Sequence, residues 1–344
     1  MPPIDLGDNV AHEIDREVAR AYREGRDVVP LHVGDTELPT PEGIREAAVR
    51  ALAEGHTHYA PPQGLRPLRA AIAARWTERH HAPTEAGHVA ILPAKFAIYA
   101  SLAATIEPGD EVMFADPSYF FEEPVRLCGG RPVRFPLRPD HSLDLEALNE
   151  SIGPRTRVLA LVTPGNPTGR VVSRAELRAA AEIARDHHLS VLSDEAYADL
   201  VYDGSHVAFA SAAPADLPLV TVGSFSKSYS MSGWRAGFAL GSREIVARIV
   251  RFVQETLTCI PPFIQEACLW ALEHGEEDLK RFREKLRERR DELLGRLDDL
   301  AGMSYVHPEG AIYVFPRYTL DLPSKEFALS LLAEEGVAVA AASN

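Results

Sequence analysis

Lysine is scarce in this chain of 344 residues: Lys95, Lys227, Lys280, Lys285 and Lys325 are all there are, although Lys and Arg together number 36 against 50 Asp and Glu. The formal net charge of −14 offers no basic surface of the kind that nucleic acid or an anionic membrane attracts, so neither is expected as a partner. Long apolar runs are missing as well. None reaches the roughly 18 residues of a membrane span, and no charged-then-apolar leader pattern opens the sequence, so the expectation is a cytoplasmic protein. Cysteine is limited to Cys128, Cys259 and Cys268, which lack metal-ligand spacing and read as reduced thiols. Thirteen histidines include the pairs His80-His81 and His187-His188. Both pairs close charge-rich amphipathic helices, where a cation suits the helix dipole, and no Cys or acidic cluster accompanies them, so no metal site is expected. Hydrophobic residues at 46% and charged at 25% are ordinary for a globular enzyme, and the length suffices for two domains with buried cores.

What is present centres on one of the five lysines. Lys227 lies in Ser224-Phe225-Ser226-Lys227-Ser228-Tyr229-Ser230-Met231-Ser232-Gly233-Trp234-Arg235-Ala236-Gly237. A lysine among hydroxyls and small residues, with an arginine eight positions on, can hold an aldehyde cofactor as a Schiff base while Ser224 and Arg235 grip a phosphate. Arginine's planar fork matches phosphate oxygens, and the hydroxyl adds a donor. Taken alone, the stretch also reads as a polar loop with a surface lysine. Two further segments bear on that choice. Thr163-Pro164-Gly165-Asn166-Pro167-Thr168-Gly169 follows the apolar run 157–162, a pattern of a strand buried on both faces of a parallel sheet. Asn166 therefore sits past a strand's carboxyl end, where open α/β sheets bind ligands, although a plain turn would look the same. Leu189-Ser190-Val191-Leu192-Ser193-Asp194-Glu195-Ala196-Tyr197 repeats the arrangement. Asp194 could pair with a protonated pyridine nitrogen and Tyr197 could donate to a phenolate; a solvated turn carboxylate and a half-buried packing ring are the plain alternatives.

In this order and spacing, the three segments resemble the class I and II aminotransferases, pyridoxal-phosphate enzymes of fold type I, and the likeness runs from about Leu31 to the last residue. The resemblance implies pyridoxal 5'-phosphate as cofactor, with Lys227 as its Schiff-base lysine and Ser224 and Arg235 on its phosphate. It also implies Asn166 at the cofactor's phenolic oxygen and the substrate carboxylate, Asp194 at the ring nitrogen, and Tyr197 at the phenolic oxygen. The segment Leu31-His32-Val33-Gly34-Asp35 is similar to the family's substrate-side loop, where Gly34 offers its backbone to the substrate. Tyr59, in Tyr59-Ala60-Pro61-Pro62-Gln63-Gly64, stands where the family's tyrosine reaches the phosphate of a neighbouring subunit, which implies a homodimer with shared sites. Ala94 and Lys95 open a helix whose amides and dipole can face the phosphate. Pro93 stands where the family usually has glycine or serine, removing one donor. Asp116-Pro117-Ser118-Tyr119 matches the segment whose aromatic stacks on the pyridine ring, here Tyr119, although such an aromatic is often simply core.

Strand-like and helix-like segments alternate as a parallel sheet requires. Strands are expected near 88–92, 110–115, 131–135, 157–162, 189–193, 218–223 and 236–240. Helices are expected over 41–55, 65–80 and 173–187, the last opened by the capping box Ser173-Arg174-Ala175-Glu176. From Arg243 a long helix runs to the break at Pro261-Pro262, and a charged, solvated helix covers about 276–300. A short hairpin over 303–315, a helix over 324–335 and a strand from Val337 complete the pattern. The expected fold class is α/β, a large domain (41–255) with a mostly parallel sheet flanked by helices, plus a smaller α+β domain from 1–40 and 256–344, incomplete at its C-terminus. The family's small domain continues further and carries an arginine that clamps the substrate α-carboxylate. Arg317 lacks that arginine's sequence context, so the clamp is unassigned, and the chain reads either as a fragment or as an enzyme that holds the carboxylate differently.

The activity this implies is exchange of an amino group between an amino acid and a 2-oxo acid. Lys227, released from the aldehyde by the substrate amine, acts as the base that moves the α-proton, while Asp194 keeps the ring nitrogen protonated. A neighbouring arginine and burial favour its neutral form. A carbon–sulfur β-lyase shares the same motifs and differs in product, and a cofactor-binding but inactive fragment is a third reading. A sensory domain of a transcription regulator would need a basic helix-turn-helix module ahead of this fold; about 30 residues precede Leu31, too few for one.

Overall fold

Seven segments form the strands of one sheet, and its central members are covered on both faces whereas the edge strand Arg131–Pro136 is largely open to solvent. The computed structural model describes residues 10–342. Its main sheet contains β1 (Val89–Ile91), β2 (Glu111–Asp116), β3 (Arg131–Pro136), β4 (Thr156–Val162), β5 (Ser190–Asp194), β6 (Leu219–Ser224) and β7 (Gly237–Gly241). Their spatial order is β1-β7-β6-β5-β4-β2-β3. β7 runs antiparallel to both its neighbours and every other adjacent pair is parallel. The period-2 geometry of a strand divides β4 between two layers. Val158 and Ala160 meet the helices Ala94–Thr105 and Arg243–Thr256, whereas Leu159 and Leu161 meet the helix Arg174–Asp186. Burial of Val158, Leu159 and Leu161 contributes about 1.5–3 kcal/mol each.

Near β1, the helices Glu42–Ala53, Arg66–His80 and Pro262–His274 share a third cluster around Ile44, Leu68, Trp76 and Cys268. A fourth, separate cluster joins Ile14, Val18, Ala21 and Val28 to Ala328, Leu332 and Ala338. It is built by the helices Val10–Arg23 and Ser324–Glu335 and by a two-residue parallel pairing of Val29–Pro30 with Val337–Ala338. Arg26 ties this unit together by donating to the carbonyls of Leu332 (3.0 Å) and Ala333 (2.6 Å). Gly336, at φ 69°, is required there, because a Cβ would meet the Asp27 carbonyl oxygen at 2.8 Å.

Local signals hold where expected. Ser173 Oγ accepts from the Glu176 amide (3.3 Å) and the Glu176 carboxylate accepts from the Ser173 amide (2.9 Å). The histidine pairs do end helices, with His81 and His187 as C-caps, but burial pushes His80 down to about 4, so it does not supply the cation expected at that terminus. Among the described residues no group of three or more His, Cys, Asp and Glu could hold a metal, and no helix is long and apolar enough to cross a membrane. The segment 303–315 departs from the expected hairpin. Met303–Ser304 pairs instead with Arg317–Tyr318, and the residues between them lie across the end of the sheet. Periodicity within the run could not reveal this, since the partner strand lies outside it and the intervening backbone bonds to β4 and β5 loops.

Candidate active site

The carboxyl ends of β2, β4, β5 and β6 share one edge, and the chain leaves the adjacent strands β2 and β4 in opposite directions, toward β3 and β5 respectively. A crevice opens at such a switch point. Tyr119 follows β2, Asn166 follows β4, Asp194 ends β5, and Ser224 ends β6. Register fixes their levels, with Val162 opposite Asp194 and Asp194 opposite Val222.

Lys227 lies on the short helix Phe225–Ser228, which Ser224 caps by accepting from the Ser226 amide at 3.1 Å. Its Nζ donates to the Gly34 carbonyl, so the structure brings these two expected site residues together. Burial lowers the Lys227 pKa; nearby Asp35 opposes that and Arg235 adds to it. Asp194 is buried and accepts one backbone bond, from Ala196 at 3.0 Å. Burial pushes it up to about 6, the Ala196 bond working against that and Glu195 adding to it. Glu195 is itself sealed by His206 (2.6 Å), Ser193 Oγ (2.9 Å) and the Phe209 amide (3.0 Å), a closed set beneath the site.

Asn166 and Tyr197 meet as well. Asn166 Nδ2 donates to Tyr197 Oη (3.4 Å) and to Tyr313 Oη (3.3 Å), and the two phenol oxygens are 2.5 Å apart. Burial pushes Tyr197 well up and Tyr313 to about 12. The local pattern of 303–315 gives no sign of Tyr313 in the site, because the run reads as a hairpin while its backbone bonds to Gly169 and Leu200. The only signal available was indirect: glycines at 34 and 169. A Cβ on Gly34 would meet Tyr313 Oη at 2.5 Å, and one on Gly169 would meet Pro308 Cβ at 2.3 Å.

The remaining candidates sit at the rim. Ala94 and Lys95 open the helix Ala94–Thr105, which has no side-chain cap. Gly237 lets that helix approach, since a Cβ there would meet the Ala94 amide nitrogen at 2.9 Å and the Gly223 carbonyl oxygen at 2.7 Å. Lys95 is exposed, its ammonium 4.5 Å from the Phe120 ring centroid. Tyr119 is half-exposed against Phe120, with ring centroids 3.9 Å apart, and lies near enough to Tyr313 to raise its pKa. Arg235, in the left-handed region at φ 56°, is exposed and donates to the Ser232 carbonyl (2.6 Å). Tyr59 stands apart from the others, 87% exposed. Arg317 is exposed and donates to the Pro139 carbonyl at 3.3 Å.

Comparison with known proteins agrees with this architecture. The family described as aminotransferase class I and II matches residues 26–344. An arginine–pyruvate transaminase from Pseudomonas aeruginosa is 37% identical over 336 residues, spanning 95% of this chain and 84% of the relative. An aspartate/prephenate aminotransferase from Thermus thermophilus is 36% identical over 324 residues, spanning 92% and 83%. A solved structure of a Thermus thermophilus aspartate aminotransferase with maleate superposes with a TM-score of 0.92 at 33% identity, covering 98% of this chain and 89% of that one. A parallel sheet with lysine, aspartate and asparagine at its carboxyl edge, and relatives of this kind over nearly the whole length, identify the chain as an amino-group-transferring enzyme of the class I and II aminotransferase family.

Proposed function

We propose that the chain exchanges an amino group between an amino acid and a 2-oxo acid using pyridoxal 5'-phosphate held through Lys227. The observation that carries this is the pairing of two uncompensated groups. Adjacent strands deliver the Lys227 ammonium and the Asp194 carboxylate to one edge, burial disfavours the charged form of each, and neither is bonded to the other. A buried carboxylate with a single amide donor fits a cationic ring N–H, and a lysine bonded only to a carbonyl fits attachment to an aldehyde. When bound, the cofactor supplies that aldehyde and a ring that takes up electrons as the α-proton leaves.

The chain's own groups have these roles in the proposal. Lys227, its ammonium disfavoured, takes the α-proton and returns it. Asp194 holds the ring nitrogen protonated. Asn166 and Tyr197 donate to the phenolic oxygen. Ser224, Arg235 and the first amides of the helix at Ala94 and Lys95 hold the phosphate, Tyr119 covers the ring, and Gly34 offers its backbone to the substrate. Tyr59 would reach the phosphate of a partner subunit in a homodimer, and its exposure on its own chain supports that. We keep a division into a large domain of 41–255 and a smaller one of 1–40 with 256–344. The separate Ile14–Leu332–Ala338 cluster supports a second unit, while the helix Pro262–His274 packs with the larger.

The test is to add pyridoxal phosphate, follow the visible absorbance, and screen donors, arginine and aspartate among them, against pyruvate and 2-oxoglutarate. Amino-group exchange is the expected result. Pyruvate and ammonia from a cysteine conjugate without exchange would replace this reading by a β-lyase.

A further inference from the structure

Tyr313 enters the site from a distant part of the chain, and its backbone is pinned on the way in. Gly310 donates to the Gly169 carbonyl (2.9 Å), Ala311 donates to the Leu200 carbonyl (2.8 Å), and Tyr202 Oη donates to the Ala311 carbonyl (2.5 Å). Glu309 accepts from Arg170 Nη1 (2.5 Å) and from the Val171 amide (2.9 Å). The ring then meets Tyr197 edge-on, with centroids 5.5 Å apart and planes at 77°. So many contacts leave little entropy to lose when the hydroxyl is fixed, which is what a positioning group needs.

The proton count in the Asn166–Tyr197–Tyr313 triangle is restrictive. Oxygens 2.5 Å apart subtend an angle at Asn166 Nδ2 much narrower than the spread of its two hydrogens. One N–H therefore serves both oxygens and the other is free. Between the phenols a single proton is shared, and the second hydroxyl proton must point elsewhere. The acidic groups facing the pair are Asp194 at both tyrosines and Asp35 and Tyr119 at Tyr313. All of them oppose a phenolate, so both tyrosines remain neutral donors.

We propose that Tyr313 is a positioning residue whose hydroxyl donates to the Tyr197 oxygen, leaving the Tyr197 proton and one Asn166 N–H free for an anionic oxygen of the bound cofactor. The proposal rests on the cofactor reading above. A phenol that accepts a hydrogen bond is a stronger donor in its turn, because charge is passed along the chain. Donors to the cofactor oxygen favour the form in which the Lys227 Schiff-base nitrogen has lost its proton, since that oxygen's negative charge is then uncompensated. Weakening the donor raises the pH at which the proton leaves.

The experiment is a pH titration of the visible absorbance of the pyridoxal-phosphate-loaded chain. Tyr313→Phe keeps the ring and should move the midpoint upward by about half a unit, the scale expected for part of one charge-assisted hydrogen bond. Tyr197→Phe should move it further, and the double variant should match Tyr197→Phe alone. An unchanged midpoint in Tyr313→Phe, or a Tyr313→Phe shift that persists in full on the Tyr197→Phe background, overturns the proposal. A wild-type chain that forms no visible band lost in Lys227→Ala overturns the cofactor reading, and the proposal with it.

Discussion

At the scale of single residues, the site trades stability for chemistry, and Asp194 makes the trade measurable. Its carboxyl rises from the ordinary 3.8 to about 6. Between those values the folded chain binds more protons than the unfolded one, so cofactor-free stability falls as pH rises through that window, by roughly 3 kcal/mol. Asp194→Asn should remove most of this slope and stabilise the cofactor-free chain at pH 7, as urea unfolding at pH 4.5 and 7 will show. The same variant should lose about 100-fold or more in amino-transfer rate, because the ring nitrogen loses its counter-charge. Near wild-type turnover would refute the role. For Lys227, replacement by Ala should abolish the borohydride-trappable adduct. Cofactor reduced instead onto Lys95, Lys280, Lys285 or Lys325 would move the assignment. Asp194 was legible because a buried strand delivers it to the ligand edge, and Lys227 because a scarce lysine stands among hydroxyls with Ser224 and Arg235 at phosphate-gripping spacing. Tyr313 was not legible, since its placement depends on backbone bonds to Gly169 and Leu200 that no local pattern encodes.

Secondary-structure elements were legible to the degree that their signals are local. β4 carries the unbroken apolar run 158–162 before its turn residues, β5 is short and buried although serines interrupt it, and the helix Arg174–Asp186 carries its own capping box. Ser173→Ala should cost about 1 kcal/mol in urea unfolding without altering the spectrum of the bound cofactor. The hairpin expected over 303–315 failed because strand pairing is a choice between partners, and the partner of Met303–Ser304 is Arg317–Tyr318. The segment crossing the sheet edge between them is held against Gly169, at φ 67° and in contact range of Pro308. Gly169→Ala should therefore destabilise by on the order of 2 kcal/mol, combining a left-handed backbone with a steric clash. It should also disturb the Tyr313 side of the site, seen as weaker cofactor binding. An alanine variant with unchanged stability and binding would show that this segment can shift freely.

For the whole molecule, the open question of assembly reduces to Tyr59. A tyrosine 87% exposed either decorates the surface or completes a site in a second copy, and a two-fold pair is the commonest closed arrangement. Lys227→Ala can be mixed with a chain carrying Tyr59→Phe and a second damaging change on the same 59–64 segment. Shared sites predict recovery of activity as hybrids form, because one site in each hybrid is then intact. Hybrids that form and stay inactive would return Tyr59 to its own subunit. The closure of the small cluster has a different consequence, one of timing. Val29 and Pro30 pair with Val337 and Ala338, and Arg26 donates to a carbonyl 306 positions later. A ribosome releases the N-terminal side of that unit long before the other side exists. The seven-stranded sheet, complete by Gly241, can form first, and the early helix with its apolar stripe must wait beside it. A chain stalled before residue 324 should thus present Ile14, Val18 and Ala21 uncovered, a surface for chaperones that vanishes once Ala328, Leu332 and Ala338 have emerged to pack on it.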